Sequence, residues 1–139
     1  MRAAILRKNG PTDSVEVGDI EAPTPGRGEL LVRVRAAAVN PADVKVCTGK
    51  DGGGFIHARK FPMAIGFDFS GVVEEVGADA SERSVGDEVF GHLAYSPSTR
   101  QGSFAELVVA KPDRVALKPP SVSHEHAAAA ATAGLTALQ

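Results

Sequence analysis

A mainly β fold with a few short helices is predicted for this chain of 139 residues. Two observations carry the prediction. The 15 glycines and 9 prolines are spread along the whole sequence and divide it into short segments joined by turns. Within those segments apolar residues recur at every second position, most clearly where Val32 and Val34 alternate with Arg33 and Arg35.

Taken in order, Ala3 to Leu6 reads as a first strand. Val15 and Val17 alternate with polar residues, as a half-buried strand requires. Thr24-Pro25-Gly26-Arg27-Gly28 is a turn cluster, and the Val32/Val34 strand follows it. Phe69 to Val76 and Phe104 to Val109 are further strands, and Val115 to Leu117 is a short one closed by Pro119-Pro120. Val85-Gly86-Asp87 reads as a turn before a strand, with Gly86 suited to a positive φ. Gly71, inside a strand, marks a close backbone approach. Asn40-Pro41-Ala42-Asp43 starts a helix: an N-cap residue, proline at the first helical position and an acid at the third. A second helix starts at Ser123, with Glu125 in its first turn and an alanine run behind it, which Gly134 is expected to break. Asp51-Gly52-Gly53-Gly54 is expected to be a flexible loop.

At this length one domain is the default, and about two-thirds of the unfolded chain's surface can be buried. The formal net charge of −2 supplies no basic field for nucleic acid, and without tryptophan there is little to stack on bases. The apolar run at Ala127 to Ala131 falls far below the ~20 residues of a membrane span. MRAAILRKNG is too short and too charged for a signal peptide. The single cysteine, Cys47, excludes a disulfide within the chain and is compatible with a reducing cytoplasm, the expected location.

Several motifs then carry a family resemblance. They are Gly66-Phe67-Asp68, Gly71-Val72-Val73, Val76-Gly77, Val85-Gly86-Asp87-Glu88-Val89, Gln101-Gly102-Ser103-Phe104-Ala105-Glu106, and Glu29 to Asn40 followed by Pro41-Ala42-Asp43. Together they resemble the catalytic domain of the medium-chain dehydrogenase/reductase superfamily. The resemblance implies a GroES-like, partly open β-barrel over residues 1–126. Residues 127–139 would begin the junction to a Rossmann cofactor domain that this chain lacks, since no G-x-G-x-x-G follows a strand. It also implies reduction of small carbonyl compounds with a nicotinamide cofactor.

Many members of the superfamily bind zinc. By the resemblance, Asn40 stands where the ligand cysteine would be and Phe67 where the histidine would be. Cys47 lies in a different register, and one cysteine cannot build a four-cysteine structural zinc site. No metal is expected, and His57, His92, His124 and His126 are read as surface or loop residues. The chain is therefore most similar to zinc-independent, zeta-crystallin-like quinone oxidoreductases, in which hydride passes from NADPH directly to a quinone or enone. NADPH rather than NADH is an expectation from that likeness.

The same likeness places Asn40 and Asp43 at the cleft that receives nicotinamide and substrate. Asn40 would donate its amide N–H to a carbonyl oxygen as charge develops there, and Asp43 would fix Asn40 or a water. The plain alternative is an N-cap with Asp43 reciprocating in the first turn, and both roles can hold at once. Lys45 stands where several relatives carry a tyrosine; it is either a contact for a cofactor phosphate or polar substrate group, or a solvated helix side chain. Thr132 is a cofactor-side candidate at the approach to the nicotinamide. Asp68 is read as a partner for a cation or for backbone N–H groups. His57, Arg59 and Lys60 in one loop, and Tyr95 and Arg100 in another, are weighed as cleft residues against solvated loops. The rival to an enzyme is a non-enzymatic GroES-like module that binds a partner or a small hydrophobic ligand. Leu135 and Leu138 have no partner layer in the sequence, so self-association through this face, or a frayed tail after about Gly134, is expected.

Overall fold

The computed structural model describes residues 1–50, 61–80, 82–94 and 101–139. Its strands are β1 (Arg2–Leu6), β2 (Glu16–Asp19), β3 (Leu30–Ala38), β4 (Met63–Ala64), β5 (Asp68–Val76), β6 (Glu88–His92), β7 (Leu107–Ala110) and β8 (Val115–Leu117). Helix α1 spans Pro41–Thr48 and helix α2 spans His124–Leu138. The strands form two antiparallel sheets, in the orders β2-β1-β4 and β7-β3-β5-β6-β8, and among the described residues neither closes on itself. This is the mainly β, partly open barrel architecture that the sequence predicts.

The long pair β3–β5 is the spine. Its inner face carries Leu30, Val32, Phe69 and Val73, all buried, while Arg33 and Glu74 pair on the outer face. Two register shifts bend this ladder, between Leu31 and Val32 and between Val34 and Ala36. At Gly71 the two backbones meet: an added Cβ would lie 2.1 Å from the Arg33 carbonyl oxygen, so only glycine fits. The segment before β7 ties the two sheets together: Glu106 N–H donates to Arg2 O in β1 at 3.1 Å, and Val34 N–H in β3 donates to Glu106 O at 3.0 Å.

Several expectations shift. Val17 lies in β2 but is 68% exposed, and Gly18 faces Ile5 instead. Phe104 is not in a strand; it joins a loop whose Ala105 bridges Ala3, and β7 begins only at Leu107. Gly134 does not break the second helix, which runs on to Leu138. One glycine costs about 1 kcal/mol in a helix, too little to stop a run of alanines docked on a sheet. That docking buries Ala127, Ala128 and Ala131 against β3, β5 and β6, where small side chains allow close approach. Asp51 to Gly54, His57, Arg59, Lys60, Tyr95 and Arg100 lie outside the described residues.

Candidate active site

The end of β3 delivers the chain to α1 at Asn40, which holds an extended conformation (φ −123°, ψ 159°) as an N-cap should. Pro41 opens the helix, and Gly49 closes it at φ 69°. Asp43 reaches back, and its Oδ2 accepts the Asn40 backbone N–H at 2.6 Å. The capping role foreseen for this pair is therefore real. Asp43 is also 4% exposed. Its second oxygen, Oδ1, and the Asn40 amide nitrogen, Nδ2, are buried with no hydrogen-bond partner among the described residues. An unpaired acceptor and an unpaired donor thus occur three residues apart at one helix start. Unpaired buried polar atoms are costly, and they concentrate where a ligand completes them.

Asp68 opens β5 beside this pair and is wholly buried. Its Oδ2 accepts the Thr132 backbone N–H at 2.9 Å and its Oδ1 accepts the Thr132 hydroxyl at 2.6 Å. Burial, and then the negative charge of Asp68, push the Asp43 carboxyl up to about 6, although the Asn40 N–H bond pulls the other way. Asn40, Asp43, Asp68 and Thr132 are thereby linked. Lys45 is exposed on α1, as a solvated side chain would be. Phe67 is buried in the main core, and among the described residues no group of three histidine, cysteine or acidic side chains is placed to hold a metal.

One histidine departs from the surface reading. His124 Nδ1 lies 2.8 Å from Ser70 Oγ, and its Nε2 lies 3.3 Å from Glu88 Oε1. Lys118 pairs with the other Glu88 oxygen at 3.0 Å and pulls the Glu88 carboxyl below its usual range. The set has the composition of a nucleophilic triad, but Ser70 is wholly buried and donates to Val89 O, so it anchors α2 to the sheet and offers no nucleophile. His92 is also on a strand, β6, and not in a loop.

Two grooves flank these features. One, of about 270 Å³, lies between α1, the turn at Thr12–Ser14 and β1, and Asp43, Val44, Ile65 and Phe104 are among its walls. The other, of about 560 Å³, runs between α2 and the β6/β8 edge and includes Phe90, Ala131, Leu135 and Leu138. Asp68 accepts a backbone N–H, one of the two roles expected of it, but sequence reasoning did not identify Thr132 as its partner and missed the His124 anchor. An acid inside the apolar run Phe67 to Val73 was the available signal for the first; nothing in the sequence joins His124 to Ser70.

Two open antiparallel sheets with a helix start at the end of β3 give the architecture of a GroES-like domain. Residues 26–120 match the family described as Alcohol dehydrogenase GroES-like domain. The chloroplastic quinone-oxidoreductase homolog of Spinacia oleracea is 35% identical over 130 residues, covering 94% of this chain and 38% of that protein. The quinone oxidoreductase of Coxiella burnetii superposes with a TM-score of 0.90 at 34% identity, over 100% of this chain and 43% of that one. The mycobacterial protein Rv1454c, solved with NADPH, gives a TM-score of 0.84 at 32% identity, over 99% of this chain and 40% of that one. The chain belongs to the medium-chain dehydrogenase/reductase superfamily, as a quinone-oxidoreductase-like GroES domain, and spans about two fifths of the length of these relatives.

Proposed function

We propose that this domain is the substrate side of an NADPH-dependent reductase of quinones or enones that works without zinc. The observation that carries the reading is the buried amide nitrogen of Asn40, which has no hydrogen-bond partner among the described residues, beside Asp43. A donor of this kind suits a carbonyl oxygen that gains negative charge as hydride arrives. The nicotinamide, when bound, supplies that hydride. Thr132 spends its hydroxyl proton on Asp68 and keeps an acceptor for the cofactor's carboxamide. Lys45, exposed on α1, is available to a cofactor phosphate. Catalysis needs the Rossmann domain typical of the superfamily as a partner, and the exposed Leu135 and Leu138 make the α2 face a site for self-association in this chain. The relatives named above support the reading through what they are called and through the NADPH bound to one of them.

The test is Asn40→Ala in a version that includes a nicotinamide-binding domain. Single-turnover reduction of a benzoquinone should slow about 100-fold, with NADPH affinity changed by less than about twofold. Loss of about 1 kcal/mol of stability with turnover intact would leave Asn40 as an N-cap only and sink the reading.

A further inference from the structure

His124 opens α2 with an oxygen against each ring nitrogen: Ser70 Oγ of β5 lies 2.8 Å from Nδ1, and Glu88 Oε1 of β6 lies 3.3 Å from Nε2. Ser70 has a single hydroxyl proton and donates it to Val89 O at 2.9 Å. Its oxygen then accepts from the ring, so in this arrangement Nδ1 carries a proton. Lys118 pulls the Glu88 carboxyl below its usual range, and an ionised carboxylate only accepts, so Nε2 carries a proton too. All three bonds coexist only when the ring is an imidazolium. A neutral ring has one proton and loses one of them. With that proton on Nδ1, the Nε2 lone pair would face a carboxylate. With it on Nε2, the Glu88 bond survives, and the Ser70 hydroxyl leaves Val89 O to reach Nδ1.

We propose that His124 is a proton-operated latch for the start of α2. As an imidazolium it fastens the helix to β5 and β6 together. It loosens when the Nδ1 proton leaves for water and the Ser70 hydroxyl turns from Val89 O to the bare nitrogen. The latch is therefore strongest in acid and weakens as pH rises and the ring loses its proton. Among the described residues the charged groups around the ring are Glu88 of β6, Lys118 beyond β8 through that carboxylate, and Glu125 of α2 itself. No charged side chain of β3 or β5 pairs with it, and β5 contributes the neutral Ser70. The N-terminal end of the helix dipole disfavours a cation in the first turn, and Glu88 acts against that effect. The same strand and helix meet again at Asp68 and Thr132. The helix is thus fastened to β5 at two points, and the one at Ser70 depends on a proton.

The experiment needs neither cofactor nor turnover. The ring-nitrogen NMR signals of His124 are followed between about pH 5 and 8, the range in which histidines commonly titrate. Amide-exchange protection factors at Ala127 and Ala128 are measured over the same interval. In acid both ring nitrogens should be protonated, and the neutral ring should carry its proton on Nε2. Protection at Ala127, whose N–H bonds Ser123 O at 3.0 Å, should fall about three- to tenfold as the ring changes state, the worth of one net hydrogen bond. His124→Gln leaves Asp43 and His126 in place, so a fall that belongs to His124 should vanish in it. A ring that keeps one state throughout, a neutral ring protonated on Nδ1, protection that stays level while the ring changes state, or a fall that persists in His124→Gln would overturn the proposal. The ring signals and the protection of the parent chain need no variant, so they decide the matter even if His124→Gln fails to fold.

Discussion

Asp68, at the start of β5, holds Thr132 of α2 by two hydrogen bonds at once, from the backbone N–H at 2.9 Å and from the hydroxyl at 2.6 Å. Burying a carboxylate is costly unless its oxygens are paired, and for Asp68 one residue of a helix supplies both donors. The contact fixes α2 on the sheet at the point where Asp43 feels the charge of Asp68.

Breaking that contact should be expensive. Thr132→Val removes the hydroxyl donor at nearly constant shape and should cost about 1–3 kcal/mol in a denaturant titration, because a wholly buried acceptor loses a partner. Asp68→Ala removes both acceptors, leaves the Thr132 N–H and hydroxyl without them, and should cost at least as much. A cost below about 0.5 kcal/mol for both would mean the grip contributes nothing.

The Asp43 carboxyl gives a pH signature. Its folded value of about 6 lies above the ordinary 3.8, mainly through burial, so folding favours the protonated form. Its stabilising contribution is fully present below about pH 4 and is lost as pH rises through about 6. The loss is at most about 3 kcal/mol. In Asp43→Asn the fall between pH 4 and 7 should flatten relative to the parent chain. Parallel stability–pH curves for the two proteins would refute the assignment.

Two glycines should respond with opposite signs. Gly71→Ala drives a Cβ to 2.1 Å from the Arg33 carbonyl oxygen and should cost about 3 kcal/mol by forcing β3 from β5. Gly134→Ala places a Cβ 3.9 Å from the Ala130 Cβ, an ordinary contact, and should stabilise the helix by about 1 kcal/mol. Thermal unfolding of the two variants compares them directly.

On the α2 face, Leu135 is 48% and Leu138 88% exposed. The chain should therefore self-associate as its concentration rises, and Leu135→Ser with Leu138→Ser should return it to monomer in light scattering. A parent chain that stays monomeric throughout the concentration range rules this out.

Much of the fold was legible because its signals are local. Alternation marked Val32 and Val34 in β3, and Asn40-Pro41 with Asp43 marked α1 down to its reciprocal cap. Gly71 was legible as a close approach because a strand glycine has few other uses. The second helix was legible at its start, where Ser123 accepts the His126 N–H, but not at Gly134, where packing outweighed a weak propensity.

By itself the sequence determined a mainly β domain, its helix starts and the Asn40–Asp43 pair. Tertiary structure alone decided that Asn40 Nδ2 and Asp43 Oδ1 are buried without a partner among the described residues, and that Asp68 is tied to Thr132 across 64 positions of chain. It also decided that His124 faces Ser70 and Glu88. The physical reason is range. Capping, turns and alternation depend on neighbours a few residues apart, whereas burial and charge coupling depend on which distant segments the sheets bring together.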